Sequence, residues 1–337
     1  MFPLQTQSKS GFTIKDKIFA HFETWRPYTV IWCGLVSLAG SCLVYGDIPP
    51  LRISLLSLLI PMMGWIAGLY LSDYLDRKLD SIQKPHRPIP SGKIKPSEAL
   101  AIGFLFALTG FILSFLLTVN NVILVFVVAA LVFSYTKFSK SRGILGNVNR
   151  GFVTVAAYLF GVFSIDQSIQ SIPVHIWLFC LVFLIHDTNS NLVGAIRDIK
   201  GDKRGGYKTI PVKYGVKNSL IIALILSILY ISLMISIIIY YNVLQYPYRF
   251  YLLFLLQILI LSSMYITMFV SIDAIDRKKA LQAHEYFVAE RITLASALIF
   301  GMVSSLNISI PIFILAMIIT LVSQSLIRKK YEFTENI

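Results

Sequence analysis

Leu220–Tyr240 reads LIIALILSILYISLMISIIIY, 21 residues with no acid or base among them. About 20 predominantly apolar residues in helical form cross a bilayer, so this stretch alone is long enough to span. Pro311–Ile327, PIFILAMIITLVSQSLI, is a second uncharged run. A soluble core alternates its apolar runs with polar faces; these runs do not. The same character extends through the chain of 337 residues, 56% hydrophobic and only 14% charged, where a soluble domain carries about 25% charged residues. Apolar runs between polar breaks place ten spans, at roughly 27–45, 51–71, 97–119, 121–136, 148–165, 173–196, 216–241, 248–271, 287–305 and 308–327. The fourth is short, and the ninth opens on Glu290 and Arg291, which reads as partly interfacial.

The net charge of +13 sorts with these spans. One side receives Lys9, Lys15, Lys17 and Arg26, then the bases of 77–95, 137–150, 197–217 and 277–279 with Arg291, and the tail Arg328–Lys330. The other side receives only Arg52 and Arg249. Positive charge in short loops marks the cytoplasmic face, so both termini are expected inside. This sorting accounts for the basic excess without nucleic acid as a partner. No soluble domain separates out: a cytoplasmic segment 1–25, one transmembrane domain 26–330 and a tail 331–337 are expected. The N-terminus shows no cleavable signal peptide. Cys33, Cys42 and Cys180 lie in apolar stretches without paired or metal-ligand spacing and read as packing residues.

Two acidic clusters interrupt the apolar pattern at the cytoplasmic ends of the second and sixth spans. The first is Ser72-Asp73-Tyr74-Leu75-Asp76-Arg77-Lys78-Leu79-Asp80. Its three carboxylates stand at i, i+3 and i+7, on one helix face. Like charges on one stripe repel, and a cation held between them removes that cost; hard oxygens suit Mg²⁺, which keeps positions for water and phosphate oxygens. The second is Asn191-Leu-Val-Gly-Ala-Ile-Arg197-Asp198-Ile-Lys-Gly-Asp202-Lys203-Arg204, with Asp198 and Asp202 an i, i+4 pair while the helix lasts. Solvated helix ends also mix acids with bases. Two such clusters at one depth on one face fit better a diphosphate carried by Mg²⁺, with acids on the metal and bases on the remaining oxygens.

At these residues the sequence resembles the UbiA superfamily of intramembrane prenyltransferases. The family's first motif, Asn-Asp-x-x-Asp-x-x-x-Asp, is met here by Ser72-Asp73-x-x-Asp76-x-x-x-Asp80, followed by Lys84-Pro-His-Arg87-Pro-Ile-Pro-Ser-Gly92. The second, Asp-x-x-x-Asp, matches Asp198 and Asp202, with the sequel Gly206-Tyr-Lys-Thr209-Ile-Pro211-Val-Lys-Tyr-Gly215. Phe133-x-x-x-Lys137 is similar to the family's Tyr-x-x-x-Lys. Ser72 departs from the usual Asn. The resemblance implies an all-α, polytopic membrane helix bundle with a nine-span prenyltransferase-like core; the basic tail favours an even count, so a tenth C-terminal span is expected.

The resemblance further implies that Asp73, Asp76, Asp80, Asp198 and Asp202 hold two Mg²⁺ ions gripping the diphosphate of an allylic isoprenyl donor. Lys137, Arg197, Lys203 and Arg204 are candidates for the remaining phosphate oxygens, or else plain positive-inside anchors. Arg87 and Lys84 sit in a Pro-rich loop suited to cap the site. Relatives prenylate aromatic acids, quinone precursors, tetrapyrroles or glycerol-phosphate lipids, so the acceptor is hydrophobic or aromatic. The form Arg197-Asp-Ile-x-Gly-Asp202 looks more like members acting on lipid, naphthoate or tetrapyrrole.

Polar residues also enter the sixth span as His186-Asp187-Thr188-Asn189-Ser190-Asn191. Asp187 precedes Asp198 by 11 residues, which on a helix is about 16 Å deeper. That is too deep for the diphosphate but suits an acceptor pocket or a base; a structural hydrogen-bond network is the alternative. Asn191 points to the site if the helix stays regular. Tyr246, Tyr248, Phe250 and Tyr251 read as an interfacial belt, Asp273 and Asp276 as a solvated helix end, and Gly64 with Gly68 as a close-packing pair. Two rival activities share parts of this reading: an intramembrane terpene cyclase needing no acceptor, and a transporter of an anionic lipid. Transporters place their acids near the midplane on broken helices; here they crowd one face.

Overall fold

The computed structural model describes residues 12–165, 168–272, 275 and 277–331, with the side chains of 82, 83 and 329–331 left aside. Asp273, Asp276, Lys9 and most of the 331–337 tail lie outside the described residues. Among those described there is no strand; twelve α-helices follow in order. They are α1 (Ile14–Trp25), α2 (Pro27–Tyr45), α3 (Leu51–Gln83), α4 (Pro96–Ser114), α5 (Val119–Ser134), α6 (Ile144–Phe163), α7 (Val174–Arg197), α8 (Ile199–Arg204), α9 (Ile210–Tyr241), α10 (Pro247–Val270), α11 (Arg277–Met302) and α12 (Leu306–Tyr331). Ten long helices overlap the ten expected spans, although α3 runs on to Gln83 and α11 opens at Arg277. Eight are long and apolar enough to cross a membrane by length and composition. The other two, α6 and α11, carry polar residues that face the protein, Arg150 and Glu290–Arg291 among them. The molecule is an integral, multi-pass membrane helix bundle.

At its centre stands α2, where Trp32, Val36, Ala39 and Cys42 are buried and packed against α3, α6, α11 and α12. Small residues set the closest approaches. A Cβ on Gly161 of α6 would fall 1.7 Å from the carbonyl oxygen of Ser37 on α2, and one on Gly151 would fall 2.6 Å from that of Leu184 on α7. By contrast Gly64 has no neighbour within 4 Å and Gly68 meets only Val132 at 3.7 Å. The small-residue pair expected to mark close packing is therefore not a contact; the tight helix pairs are built from α2, α6 and α7. Opposite this core, α4 and α5 turn Phe104, Leu108, Ile112 and Phe126 outward, as helices bathed in lipid do.

The structure departs from the sequence expectations at three places. The polar N-terminal segment forms α1, opened by a reciprocal Thr13–Asp16 capping box, and ended where Arg26 adopts a left-handed conformation (φ 47°). The ninth helix begins at Arg277, ten residues before the expected start, so Glu290 and Arg291 are mid-helix and buried rather than interfacial. Burial is possible because Glu290 accepts from Tyr230 (2.8 Å), Gln257 and His186 (2.9 Å), a network spanning four helices. Of the expected aromatic belt, Tyr248 is exposed while Phe250 is fully buried and stacked on Phe254. The three cysteines are free, two of them buried.

Candidate active site

A cavity of about 310 Å³ opens at the end of the bundle that carries the basic loops. All five aspartates read from the sequence line it, as do Ser72, Arg87, Asp187, Asn191 and Arg197. The reason is local. α3 continues unbroken past its apolar part to Gln83, so the stripe Asp73, Asp76, Asp80 stays on one face and projects beyond the span. α7 ends at Arg197 and the chain kinks at Asp198 (φ −95°, ψ 7°) before α8. The kink keeps the Asp198 carbonyl bonded to the Asp202 amide (2.9 Å), so both carboxylates still reach one cavity although no single helix joins them.

Four of the five acids are met by a base, which for Asp73, Asp76 and Asp80 comes from another element. The left-handed turn at Arg26 aims its Nη2 at both oxygens of Asp73, at 3.0 and 2.9 Å. Arg87 Nη1 donates to Asp80 Oδ2 at 2.7 Å and lies 3.5 Å from Asp73 Oδ1. Lys140 Nζ stands 2.6 Å from Asp76 Oδ2. Arg197 forks onto Asp198 through Nε (3.1 Å) and Nη2 (2.8 Å). Charge pairs of this geometry are the strong kind of hydrogen bond.

The electrostatics outside the span follow from this crowding. Burial opposes the charge on Asp198, but Arg197 and Lys84 overcome it and hold the carboxyl well below the usual range. Asp202 is different: burial, reinforced by the negative Asp198, pushes it up to about 6. Asp198 supports the charge on Lys84, yet Arg87 and burial outweigh it and leave the ammonium at about 8. For Lys140, burial is outweighed by Asp76 and the pKa rises. Glu23 of α1, also on the cavity wall, is pushed by burial up to about 7.

Three of the expected bases are elsewhere. Lys137 is exposed and off the cavity; α5 widens into a π-turn over Tyr135–Ser139, which carries the chain around so that Lys140 takes the inward position. Lys203 and Arg204 are exposed on the outer face of α8, away from the lining. Ser72 lines the cavity with its hydroxyl donated to the Leu69 carbonyl oxygen (3.1 Å). Residues that sequence reasoning passed over are Arg26, Lys140, Arg150, Glu23 and Arg291, all on the wall. Arg26 was legible as the base abutting the first span, and Arg291 as a charge inside an apolar helix; a π-turn leaves no sequence mark.

Deeper in, Asp187 lines the same cavity. Its Oδ2 lies 3.5 Å from Arg150 Nε, and the Arg150 guanidinium sits 3.8 Å over the Trp65 ring. Among the described residues no three His, Cys, Asp or Glu side chains converge as a ready metal cage. Five hard carboxylates ringing one cavity are instead the donor set for a hard cation that takes one or two carboxylates and completes its shell with phosphate oxygens, as Mg²⁺ does.

A membrane-spanning bundle with an acid- and base-lined cavity at one end has the make-up of an intramembrane enzyme with a charged substrate site. The UbiA prenyltransferase family model matches residues 31–287, and the chain belongs to that family; it is a prenyltransferase. Among curated proteins, digeranylgeranylglyceryl phosphate synthase of Pyrococcus horikoshii is 32% identical over 210 residues, 62% of this chain and 74% of that one. The fold is shared with the apo UbiA homolog from Aeropyrum pernix K1 (TM-score 0.69, 18% identity, 82% of this chain and 98% of that one). It is shared also with a UbiA homolog from Archaeoglobus fulgidus bound to DMAPP and Mg²⁺ (TM-score 0.54, 15% identity, 91% and 98%).

Proposed function

We propose that the protein transfers an isoprenyl group, in a Mg²⁺-dependent reaction, from an allylic isoprenyl diphosphate to a hydroxyl of a glyceryl phosphate lipid. The observation that carries the reading is the meeting of Asp73, Asp76 and Asp80 with Asp198 and Asp202 around one cavity interleaved with bases. These five carboxylates would hold the metal, which when bound supplies fixed positive charge to the leaving diphosphate. Arg26, Lys84, Arg87, Lys140 and Arg197 bind the phosphate oxygens not taken by metal, exchanging their carboxylate partners for substrate.

The allylic C–O bond breaks with its electron pair going to the diphosphate, and the acceptor hydroxyl oxygen forms the new C–O bond at that carbon. Fixed bases stabilise the charge that grows on the leaving group. Asp187, the carboxylate of the inner wall, takes the hydroxyl proton. The lipid acceptor is supported by the names of the relatives, digeranylgeranylglyceryl phosphate synthases, whose product implies a C20 donor and a monoether acceptor. The bases of the loops flanking the cavity support a mouth on the cytoplasmic side.

The test is purified protein in nanodiscs with radiolabelled geranylgeranyl diphosphate, geranylgeranylglyceryl phosphate and Mg²⁺. Expected is stoichiometric diphosphate release with a diether product, requiring acceptor and abolished by EDTA. Release with donor alone and a cyclised hydrocarbon product overturns the reading in favour of a cyclase. Absence of any release overturns it altogether.

A further inference from the structure

The cavity has a second pole that the diphosphate chemistry does not use. Arg291, mid-helix on α11, is 3% exposed and lines the cavity. Among the described residues its Nε has no hydrogen-bond partner, and the hydrogen bond it does make is a long one, Nη2 to the Tyr28 carbonyl oxygen at 3.5 Å. The neighbouring carboxylate on its own helix is unavailable, because Glu290 is committed to His186, Tyr230 and Gln257. On the facing helices stand Arg150, stacked on Trp65, and the carboxylate of Asp187. The carboxylate is thus taken by Arg150, 3.5 Å away, while Arg291 keeps a buried donor unsatisfied among the described residues. A buried unsatisfied donor on a cation is costly to maintain and is what an anionic ligand group would complete.

We infer that Arg291, with Arg150, forms an anion subsite on the inner wall that binds the phosphate of the acceptor, separate from the donor's diphosphate. This rests on the transferase reading above and deepens it, by making the acceptor's charge the feature recognised. A glyceryl phosphate monoether carries its phosphate on the same three-carbon unit as the reacting hydroxyl, so the arginines hold the phosphate while Asp187 faces the hydroxyl. A site built to pair a buried charge discriminates strongly against an analogue that lacks the partner. Arg291 lies beyond residues 31–287 that match the family model.

The experiment measures KM and equilibrium binding for geranylgeranylglyceryl phosphate and for its phosphate-free alcohol, in wild type, Arg291→Gln and Arg291→Lys, with the donor KM recorded in parallel. Thermal melting of each variant shows that it is folded, and Arg291→Lys retains the charge if Arg291→Gln does not fold. Wild type is expected to prefer the phosphate form. Arg291→Gln should weaken that form 10- to 100-fold, leave the alcohol and the donor KM within twofold, and so erase the preference; Arg291→Lys should keep part of it. An unchanged preference in Arg291→Gln, or a raised donor KM in place of the acceptor effect, overturns the subsite while leaving the transferase reading intact. If wild type rejects glyceryl phosphate but uses another anionic acceptor whose KM rises in Arg291→Gln, the lipid reading fails and the subsite stands. Use of uncharged acceptors alone overturns both.

Discussion

Lys140 and Lys137 are three residues apart, and the π-turn between Tyr135 and Ser139 decides which of them serves the site. Replacing each by methionine separates the two, since methionine keeps the apolar stem and removes the charge. Lys140 Nζ is 2.6 Å from Asp76 Oδ2, with the side chains 32% and 15% exposed. Breaking a fully buried pair by removing one partner costs ~3–5 kcal/mol; partial exposure of both groups lowers this to roughly 1–2 kcal/mol of stability, nearer the range of exposed pairs. The larger effect is on turnover. Removing one fixed donor aimed at developing charge costs about 2.7–4 kcal/mol, or 10²- to 10³-fold in kcat.

Lys140→Met is therefore expected to fold, melt a few degrees lower, and lose about 100-fold in kcat at saturating donor and Mg²⁺. Lys137→Met, at an exposed position, is expected to stay within twofold. The assay is steady-state transfer of labelled isoprenyl group, with diphosphate release measured alongside. Comparable losses in both variants, or near-normal turnover in Lys140→Met, would refute the register drawn from the π-turn and with it the role given to Lys140. A double variant, Asp76→Asn with Lys140→Met, guards against a purely structural explanation: it should recover stability and not turnover.

Asp73→Asn and Asp198→Asn should each lower transfer at least 10³-fold while the protein still inserts; substantial turnover in either, at saturating Mg²⁺, contradicts the metal assignment. Glu23 gives a pH signature. Its pKa is raised from 4.5 to about 7 by burial, so ionisation is penalised in the folded state; the penalty is absent below about pH 4.5, grows up to pH 7 and is complete above it. At 1.36 kcal/mol per unit this amounts to about 3 kcal/mol, so Glu23→Gln should raise the melting temperature clearly at pH 8 and hardly at pH 4.5, and an equal gain at both would disprove the buried-carboxyl account. Gly161→Ala drives a Cβ to within 1.7 Å of the Ser37 carbonyl oxygen and should destabilise by about 3 kcal/mol or more, whereas Gly64→Ala, with nothing within 4 Å, should be neutral or stabilising in the same melting assay.

The bundle was legible in the sequence because a bilayer imposes a length and a polarity that local runs must obey: Leu220–Tyr240 lies wholly within α9. The acid stripe of α3 was legible for a similar reason, since helical spacing fixes which residues share a face. What escaped depends on contacts between distant segments. Whether Glu290 lies at an interface or in the interior turns on Tyr230 and Gln257, from two other helices. Whether Gly64 or Gly161 is the close contact turns on which helix happens to face it. The bases were legible as a population that marks one side of the membrane, but their individual roles were not: Arg26 depends on one left-handed residue, and Lys140 on one widened turn.

That division explains how five carboxylates can be kept at the edge of a membrane bundle. Asp73, Asp76, Asp80 and Asp198 are each neutralised by a base delivered from a different element: the α1–α2 break, the α5–α6 connection, the α3–α4 loop and the end of α7. A carboxylate left alone there would stay protonated, as Asp202, pushed up to about 6, begins to do. Bound diphosphate and Mg²⁺ bring charges of both signs, so each base and each acid can change partner without any charge passing unpaired into a low-dielectric site. Such an exchange would reach four separate elements at once and so would couple substrate binding to the loops that surround the mouth. Hydrogen exchange of residues 84–95 and 205–209 should slow on adding a non-hydrolysable donor analogue with Mg²⁺ but not on adding Mg²⁺ alone; protection by the metal alone would mean that the carboxylates leave their bases before the diphosphate arrives.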